Sequence, residues 1–287
     1  MTQKRGVLFA ILAAAFYALN SPLSKLLLAQ TGPTMMAAFL YLGAGLGMAA
    51  LQAANRRNDK EQKLSRRELP YTIAMVVLDI AAPIALMIGI SRASAANVSL
   101  LNNFEIVATS LIALCIFREA ISPKLWLGIA LVTLSSVMLS VSDMSSFSFS
   151  AGSVFVLLAC VCWGFENNCT RMLSSKNPVQ IVVIKGIFSG LGSLIIAFIV
   201  GERLPDLMSI ALALLLGFVA YGLSIVLYIY AQRELGAAKT SAYYAVAPFI
   251  GAALSLIIFR ELPSASFLAA LAVMAAGTYV VTVADTP

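Results

Sequence analysis

The sequence predicts an all-α polytopic membrane protein with ten transmembrane helices, arranged as two inverted repeats of five helices around a central cavity. Three observations support this prediction: a surplus of apolar residues, a series of separate apolar stretches, and a repeat of the first half in the second. Hydrophobic residues make up 61% of the 287 residues, charged residues make up 11%, and the mean hydropathy is +0.94. A soluble core of this size cannot bury so many apolar side chains.

The apolar stretches are each about 20 residues long, which is the length that crosses the hydrocarbon core of a bilayer. Prolines mark many of their boundaries, at helix starts where a missing N–H costs little. Pro22, Pro83 and Pro248 lie inside predicted spans instead. In chain order, the ten spans cover residues 5–29, 33–54, 69–91, 94–117, 123–142, 151–171, 178–200, 207–232, 236–259 and 264–283.

The repeat is clearest at the two ends of each half. Residues 6–20 align without a gap with residues 152–166, and Phe117-Arg118-Glu119 recurs as Phe259-Arg260-Glu261. We therefore divide the chain into a first repeat, residues 1–146, and a second repeat, residues 147–287. Because each repeat has an odd number of spans, the second lies upside down in the membrane. Inverted repeats of this kind place a binding site near the bilayer midplane.

The distribution of positive charge predicts the orientation. With the N-terminus in the cytoplasm, all but four of the 19 lysines and arginines lie on the cytoplasmic side. The four on the outer side are Lys25, Arg92, Arg203 and Arg260. This bias agrees with the positive-inside rule and puts both termini in the cytoplasm. Topology therefore accounts for the net charge of +6, and we expect the lipid bilayer, rather than a nucleic acid, as a partner.

Several absent motifs and residue types argue against ATP-driven transport and against an enzyme. No Gly-x-x-x-x-Gly-Lys-Ser/Thr stretch is present, so we expect transport without ATP. The chain has no histidine, which removes the usual catalytic base and most metal sites. We expect no catalytic residue, no cofactor and no metal. The glycine clusters at residues 43–47 and 186–190 predict close helix packing rather than phosphate binding.

Polar residues follow one helical face in the first span of each repeat. Tyr17, Asn20 and Ser24 have the spacing i, i+3 and i+7, and Trp163, Glu166 and Thr170 repeat it in span 6. Two such stripes are expected of two half-sites that face one cavity. The alternative is that Tyr17 and Trp163 belong to the interfacial aromatic belts. Tyr221 and Tyr228 in span 8, with Tyr244 in span 9, extend the predicted aromatic wall.

Three carboxylates lie at membrane depth, where unpaired charges are costly and mark functional sites. Glu166 has a depth similar to that of Lys185, so it either forms a structural ion pair or binds substrate. Asp79 and Glu105 have no basic residue at their depth, so we expect them to be protonated at rest. They either carry protons in coupled transport or form hydrogen bonds, as neutral acids, with Asn102, Asn103 or a backbone carbonyl.

Two prolines stand near these polar groups. Pro83 lies one turn beyond Asp79, and Pro248 follows Tyr243 and Tyr244. A proline inside a helix frees a carbonyl one turn upstream and weakens the helix there. We therefore predict hinges at Pro83 and Pro248. The predicted substrate-binding residues are Tyr17, Asn20, Asp79, Asn102, Glu105, Trp163, Glu166, Tyr221 and Tyr244.

This combination resembles the EamA-type domains of the drug/metabolite transporter superfamily over essentially the whole chain. The resemblance rests on the two five-span repeats, on Tyr17-Ala-Leu-Asn20 and Trp163-Gly-Phe-Glu166, and on the Phe-Arg-Glu pair. The pattern is most similar to the YddG-type aromatic amino-acid exporters of bacterial inner membranes. It implies a basket-shaped bundle in that membrane, with spans 1, 3, 4, 6, 8 and 9 around the cavity and spans 5 and 10 at the periphery. The superfamily also includes carriers of other metabolites, of nucleotide sugars and of phosphate esters.

The predicted lining contains acids, amides, hydroxyls and aromatic rings but no cation. Phosphate-bearing substrates need cations, preferably arginines, so this lining fits a zwitterion with an apolar side chain better. We expect a secondary transporter, working as a monomer by alternating access, that exports neutral aromatic or other apolar amino acids and related metabolites. A drug or lipophilic-cation exporter is the alternative within transport, and a channel or membrane-embedded enzyme is the alternative outside it.

Overall fold

The computed structural model describes residues 3–54, 61–117, 123–143, 148–235, 243–244 and 246–284. Arg118 and Glu119 of the repeated Phe-Arg-Glu pair, and the start of the ninth predicted span, lie outside the described residues. The helices are α1 (Gln3–Ala18), α2 (Asn20–Leu27), α3 (Pro33–Ala54), α4 (Leu69–Arg92), α5 (Ala95–Leu101), α6 (Phe104–Phe117), α7 (Pro123–Ser140), α8 (Ala151–Leu173), α9 (Pro178–Val200), α10 (Leu207–Gly217), α11 (Ser224–Leu235), α12 (Ala247–Phe259) and α13 (Ala265–Ala284).

The long helices are those of a multi-pass membrane protein. Within the described residues, seven helical stretches are long and apolar enough to cross a membrane, and they fall on predicted spans 1, 2, 3, 4, 6, 7 and 8. Shorter apolar helices at residues 126–139, 247–259 and 265–280 fall on the other three predicted spans. Large apolar side chains such as Ile199 and Leu207, which are 78% and 81% exposed, cover the outside of the bundle. An exposed apolar surface of this kind suits a lipid environment.

Two of these spans are interrupted near the middle. Span 1 breaks at Leu19 between α1 and α2, because Pro22 has no N–H to donate to the Ala18 carbonyl. Span 4 breaks at Asn102 and Asn103, between α5 and α6. There the Asn103 N–H bonds the Leu100 carbonyl, three residues back, instead of continuing the helical ladder.

Two further local features were not predicted. Span 8 contains a π-helical segment, Phe218–Leu223, between α10 and α11. Such segments insert an extra residue into a helical turn and are frequent at functional sites. Between the two halves of the chain, β1 (Val141–Asp143) pairs antiparallel with β2 (Ser148–Phe149). The fifth predicted span therefore ends at Ser140 and is followed by a short ribbon.

Helix α3 is packed at backbone contact distance against α9 on one side and α10 on the other. A Cβ at Gly186 would lie 2.3 Å from the Gly45 nitrogen, and a Cβ at Gly43 would lie 2.0 Å from the Leu214 carbonyl oxygen. Gly190 meets Leu42, so α3 and α9 run antiparallel. The prediction that both glycine clusters serve close helix packing is confirmed.

The other main contacts also join the two halves of the chain. Helix α4 packs on α8, α1 on α11, and α7 on α13. The Ser224 hydroxyl donates to the Ala13 carbonyl at 2.8 Å, and the Ser135 hydroxyl donates to the Ala270 carbonyl at 2.6 Å. One large cluster of buried apolar residues runs through both halves. The fold thus places residues from both halves around a shared interior.

Polar side chains cap several helix ends. The Glu202 carboxylate accepts the N–H groups of Thr34 and Met35, at 3.0 and 2.6 Å, and so caps the first turn of α3. The Lys25 ammonium donates to the carbonyls of Ile90 and Ala93 at the end of α4. Asp206 caps α10, and the hydrogen bonds that it accepts from Ser209 and then Met208 hold the pKa of its carboxyl below the ordinary value.

Candidate functional site

A cavity of about 90 Å³ lies between the two halves of the chain, large enough to hold several water molecules. Its wall is mainly aromatic, with carboxylates, an amide, a hydroxyl and one ammonium. Spans 1, 2, 4, 6, 7, 8 and 9 contribute to it. The described lining residues are Tyr17, Tyr41, Glu105, Trp163, Glu166, Asn167, Thr170, Lys185, Tyr221, Ile225, Tyr228, Ile229 and Tyr244.

Five tyrosine rings form a continuous series along this wall. The ring centroids are 4.8 Å apart for Tyr228 and Tyr244, 5.9 Å for Tyr244 and Tyr17, 5.8 Å for Tyr17 and Tyr221, and 5.2 Å for Tyr221 and Tyr41. These distances are in the range of favourable aromatic pairs. Flat apolar substrate surfaces can therefore contact rings from both halves of the chain.

The helix breaks help to position these rings. Tyr17 stands in the last turn of α1, just before the break at Leu19, and Tyr221 lies in the π-helical segment of span 8. The Asn20 amide, at the start of α2, donates to the Tyr221 hydroxyl at 3.0 Å, and it accepts the Ser24 hydroxyl. Asn20 is thus behind the wall, where it orients Tyr221. The stripe predicted in span 1 is divided by the break, whereas Trp163, Glu166 and Thr170 all line the cavity.

A buried cluster of three charges lies at one side of the cavity. The Lys185 nitrogen is 3.1 Å from Asp79 Oδ2 and 3.0 Å from Glu166 Oε1. Asp79, Glu166 and Lys185 are 0%, 2% and 5% exposed. The Tyr41 hydroxyl donates to Asp79 Oδ1 at 2.8 Å, and the Thr170 hydroxyl donates to Glu166. Buried charges persist only when they are paired and hydrogen-bonded in this way.

This cluster corrects two expectations. The ion pair between Glu166 and Lys185, one of the two alternatives for Glu166, is present. The expectation that Asp79 lacks a basic partner is wrong, and so is the expectation of a lining without a cation. The depth of a residue in the membrane, counted along the chain from the start of its helix, predicts Glu166 but not Asp79 as a neighbour of Lys185. This count ignores helix tilt and the length of the lysine side chain, which let one ammonium reach both carboxylates.

Glu105 is held differently from the other two carboxylates. Its Oε1 accepts the Asn167 amide at 2.6 Å, and among the described residues it forms no ion pair. The predicted alternative was a hydrogen bond of the neutral acid to Asn102, Asn103 or a backbone carbonyl, and among the described residues neither asparagine side chain bonds Glu105. Asn102 Oδ1 and both polar side-chain atoms of Asn103 are buried without a hydrogen-bond partner in the described part of the chain. Asn102 lies outside the described lining, at the break in span 4.

The two predicted hinge prolines occupy different positions. Pro83 is buried inside α4, where it has no N–H to donate to the Asp79 carbonyl. Pro248 lies in the first turn of α12, where an N–H would have no helical partner in any case. Among the described residues, Pro248 therefore lies at the start of a helix, whereas most of the preceding part of span 9 lies outside them.

The lining differs from the expectation in three spans and several residues. Span 3 supplies no described lining residue, because Asp79 lies behind Lys185, whereas spans 2 and 7 supply Tyr41 and Lys185. Two lining residues were not predicted: Tyr41, which lies in an otherwise apolar run, and Asn167, which follows Glu166 but lies off its helical stripe. Its position at membrane depth is the one signal that could have predicted Asn167.

A polytopic helical bundle with a polar and aromatic cavity between its two halves is the architecture of a membrane transporter. The chain belongs to the EamA-like transporter family, whose sequence model matches residues 4–141 and matches again at residues 150–283.

Known proteins that are similar to it include a relative from an archaeon and a protein of solved structure. An uncharacterized transporter of Methanothermobacter thermautotrophicus strain Delta H is 29% identical over 276 residues, with 89% of this chain and 80% of that protein covered. A protein of known crystal structure has the same fold, with a TM-score of 0.70 over 98% of this chain and 97% of its own, at 16% sequence identity.

Proposed function

We propose that the protein is a secondary transporter that exports neutral amino acids with aromatic or other apolar side chains, and related metabolites, from the bacterial cytoplasm. The observation that carries this proposal is the cavity wall, in which a series of tyrosines meets an excess of carboxylates over ammonium groups. Aromatic faces bind apolar side chains and attract cations, and carboxylates bind the α-ammonium group. The wall therefore offers a contact to each part of an aromatic amino acid.

The charges around the cavity weigh against phosphorylated substrates. Lys185 is the one cation among the described lining residues, and it already has two carboxylate partners. A nucleotide sugar or sugar phosphate needs more than one free cation, preferably in the bidentate geometry of arginine. The same excess of carboxylates supports the second candidate, a drug or lipophilic-cation exporter of the same family.

We further propose ten spans in two inverted repeats, residues 1–146 and 147–287, with both termini in the cytoplasm and movement by alternating access. Two contacts support this arrangement. Helices α3 and α9, the second span of each half, cross antiparallel with Gly45 on Gly186. Helices α7 and α13, the fifth span of each half, are also antiparallel, since Gly277 meets Leu131 and Val132 while Ser135 bonds Ala270. Equivalent spans that cross antiparallel are expected of an inverted repeat.

Competition in proteoliposomes tests the substrate class. Purified protein is reconstituted, labelled phenylalanine is moved by counterflow, and unlabelled solutes compete for it. We expect inhibition by phenylalanine, tyrosine and leucine, and none by a nucleotide sugar or sugar phosphate, because the described lining residues include no free cation for phosphate.

Three other results are informative. Inhibition by sugar phosphates but not by amino acids contradicts the proposal. Inhibition by lipophilic cations alone favours the second candidate. An ohmic current without saturable, stereoselective counterflow indicates a channel instead of a carrier.

A further inference from the structure

We propose that the ion pair between Lys185 and Glu166 is the site that recognises the zwitterion of the substrate, opening so that Lys185 binds the α-carboxylate and Glu166 binds the α-ammonium group. This inference rests on the proposed function and adds to it the residue that binds the α-carboxylate of the substrate, Lys185. Both side chains line the cavity, and their charged atoms are 3.0 Å apart. An α-amino acid carries its two opposite charges one carbon apart, so it matches an ion pair in contact.

The second partner of Lys185 makes the opening feasible. Asp79 lies behind the cavity wall, 3.1 Å from the Lys185 nitrogen, and it is fixed by the Tyr41 hydroxyl. When Lys185 and Glu166 separate, the ammonium of Lys185 keeps this carboxylate. Glu166 likewise keeps the hydrogen bond from Thr170. Neither buried charge is left without a partner while the substrate enters, which avoids the large cost of an isolated buried ion.

The charge balance distinguishes a zwitterion from singly charged solutes. Among the described residues, three carboxylates, those of Asp79, Glu105 and Glu166, lie in or behind the wall with one ammonium, that of Lys185. A zwitterion exchanges one ion pair for two and leaves the net charge of the buried site unchanged. An amine without a carboxylate adds a cation and leaves Lys185 with nothing new to bind. A carboxylate without an amine adds an anion next to Glu105 and Glu166, which repel it.

Binding of three related compounds tests the inference. Phenylalanine, phenethylamine and 3-phenylpropionate share the ring and differ only in the charged groups. Each is titrated by calorimetry into purified protein, and we expect the wild-type protein to bind phenylalanine more tightly than the other two by about tenfold or more, as a lost charge-assisted hydrogen bond predicts.

Variants of Lys185 then test whether its ammonium causes the preference for phenylalanine. In Lys185→Met we expect the preference for phenylalanine over phenethylamine to disappear, since the carboxylate has lost its partner. The double variant Asp79→Asn with Lys185→Met also removes the carboxylate that would lose its partner. It can be measured instead if the single variant does not fold. Lys185→Arg retains a cation and should retain the preference. Lys25→Met, whose ammonium binds carbonyls at the end of α4 away from the cavity, is the matched control and should behave as wild type.

Two results overturn the inference. If wild-type protein binds phenethylamine as tightly as phenylalanine, the carboxylate is not recognised. If the Lys185 variants weaken all three compounds equally, Lys185 has a structural role only. A failure of the proposed function gives a different result: none of the three compounds binds, and phenylalanine is not moved in proteoliposomes. That result contradicts both proposals.

Discussion

Glu105, which is partly buried, differs from the two buried carboxylates, Asp79 and Glu166, in what it contacts. Asp79 and Glu166 share the ammonium of Lys185, whereas Glu105 accepts a hydrogen bond from the neutral amide of Asn167. A charge on Glu105 is therefore not balanced by an ion pair among the described residues. An acid of this kind at membrane depth is a natural proton site, so of the two predicted proton carriers, Asp79 and Glu105, we propose Glu105.

A pH gradient across proteoliposomes tests this role. We expect wild-type protein to accumulate substrate when a pH gradient is imposed, and Glu105→Gln to lose that accumulation because the amide cannot take up a proton. Counterflow, which needs no net proton transfer, should be largely retained. The control is Glu261→Gln, which changes an exposed acid between α12 and α13. If an imposed gradient leaves the wild-type distribution of substrate unchanged, Glu105 does not couple transport to protons and the protein is a uniporter.

At the same scale, the sequence predicted residues that stand out from an apolar background. Tyr17, Trp163 and Glu166 are polar or aromatic at helical spacing and were predicted for that reason. Tyr41 gave no such signal, because a lone tyrosine in an apolar span has many packing roles. The partner of Asp79 depends on how α4 and α9 tilt against each other, and spacing within one helix contains no information about tilt.

At the scale of elements, the first turn of α3 is completed by the second half of the chain. Glu202 follows the end of α9, and its carboxylate accepts two backbone N–H groups of α3. A Cβ at Gly32 would lie 2.3 Å from Glu202 Oε2, so a larger residue there would displace the carboxylate from this position. The contact ties the beginning of one span to the end of its counterpart in the other half.

Removing this cap should loosen α3 without unfolding the bundle. We expect Glu202→Ala to lower the free energy of unfolding by about 0.5–2 kcal/mol, the usual cost of losing a helix N-cap. Thermal unfolding in detergent measures the loss, and hydrogen exchange should show it at the amides of Thr34 and Met35. Arg203→Ala, at the exposed neighbouring position, is the control. Equal stability of the two variants would mean that water replaces the carboxylate at no cost.

The breaks in spans 1 and 4 show what hydropathy can and cannot predict about elements. The length of the apolar stretches predicted both spans, and Pro22 was predicted to lie inside span 1. The break at Asn102 and Asn103 was not predicted, because two asparagines in an apolar helix are compatible with helical geometry. The π-helical segment in span 8 has no sequence signal either, since it depends on packing against α3 and α1.

At the scale of the whole molecule, the glycine clusters determine how closely the two halves approach. The sequence predicted close packing at the glycine clusters but not which helices meet, because a cluster of glycines contains no information about the helix that packs on it. In the structure, Gly45 and Gly186 bring the backbones of α3 and α9 into contact. Lys185 is adjacent to Gly186, and the Tyr41 carbonyl lies 2.7 Å from the position of a Cβ at Gly186. The crossing that joins the halves therefore also sets the geometry of the charged cluster.

A single methyl group at this crossing should disturb both stability and transport. In Gly186→Ala the new Cβ would meet backbone atoms of Gly45, which cannot rotate away, so we expect a loss of about 1–3 kcal/mol, typical of overpacking. Gly192→Ala is the matched control on the same helix, since its Cβ would meet only the flexible end of Ile80. Thermal unfolding in detergent compares the two variants, and counterflow measures whether the displaced Lys185 and Tyr41 still form a working site. If Gly186→Ala is as stable and as active as Gly192→Ala, the halves do not depend on this contact, and the cavity must be held by α4 against α8 and α1 against α11.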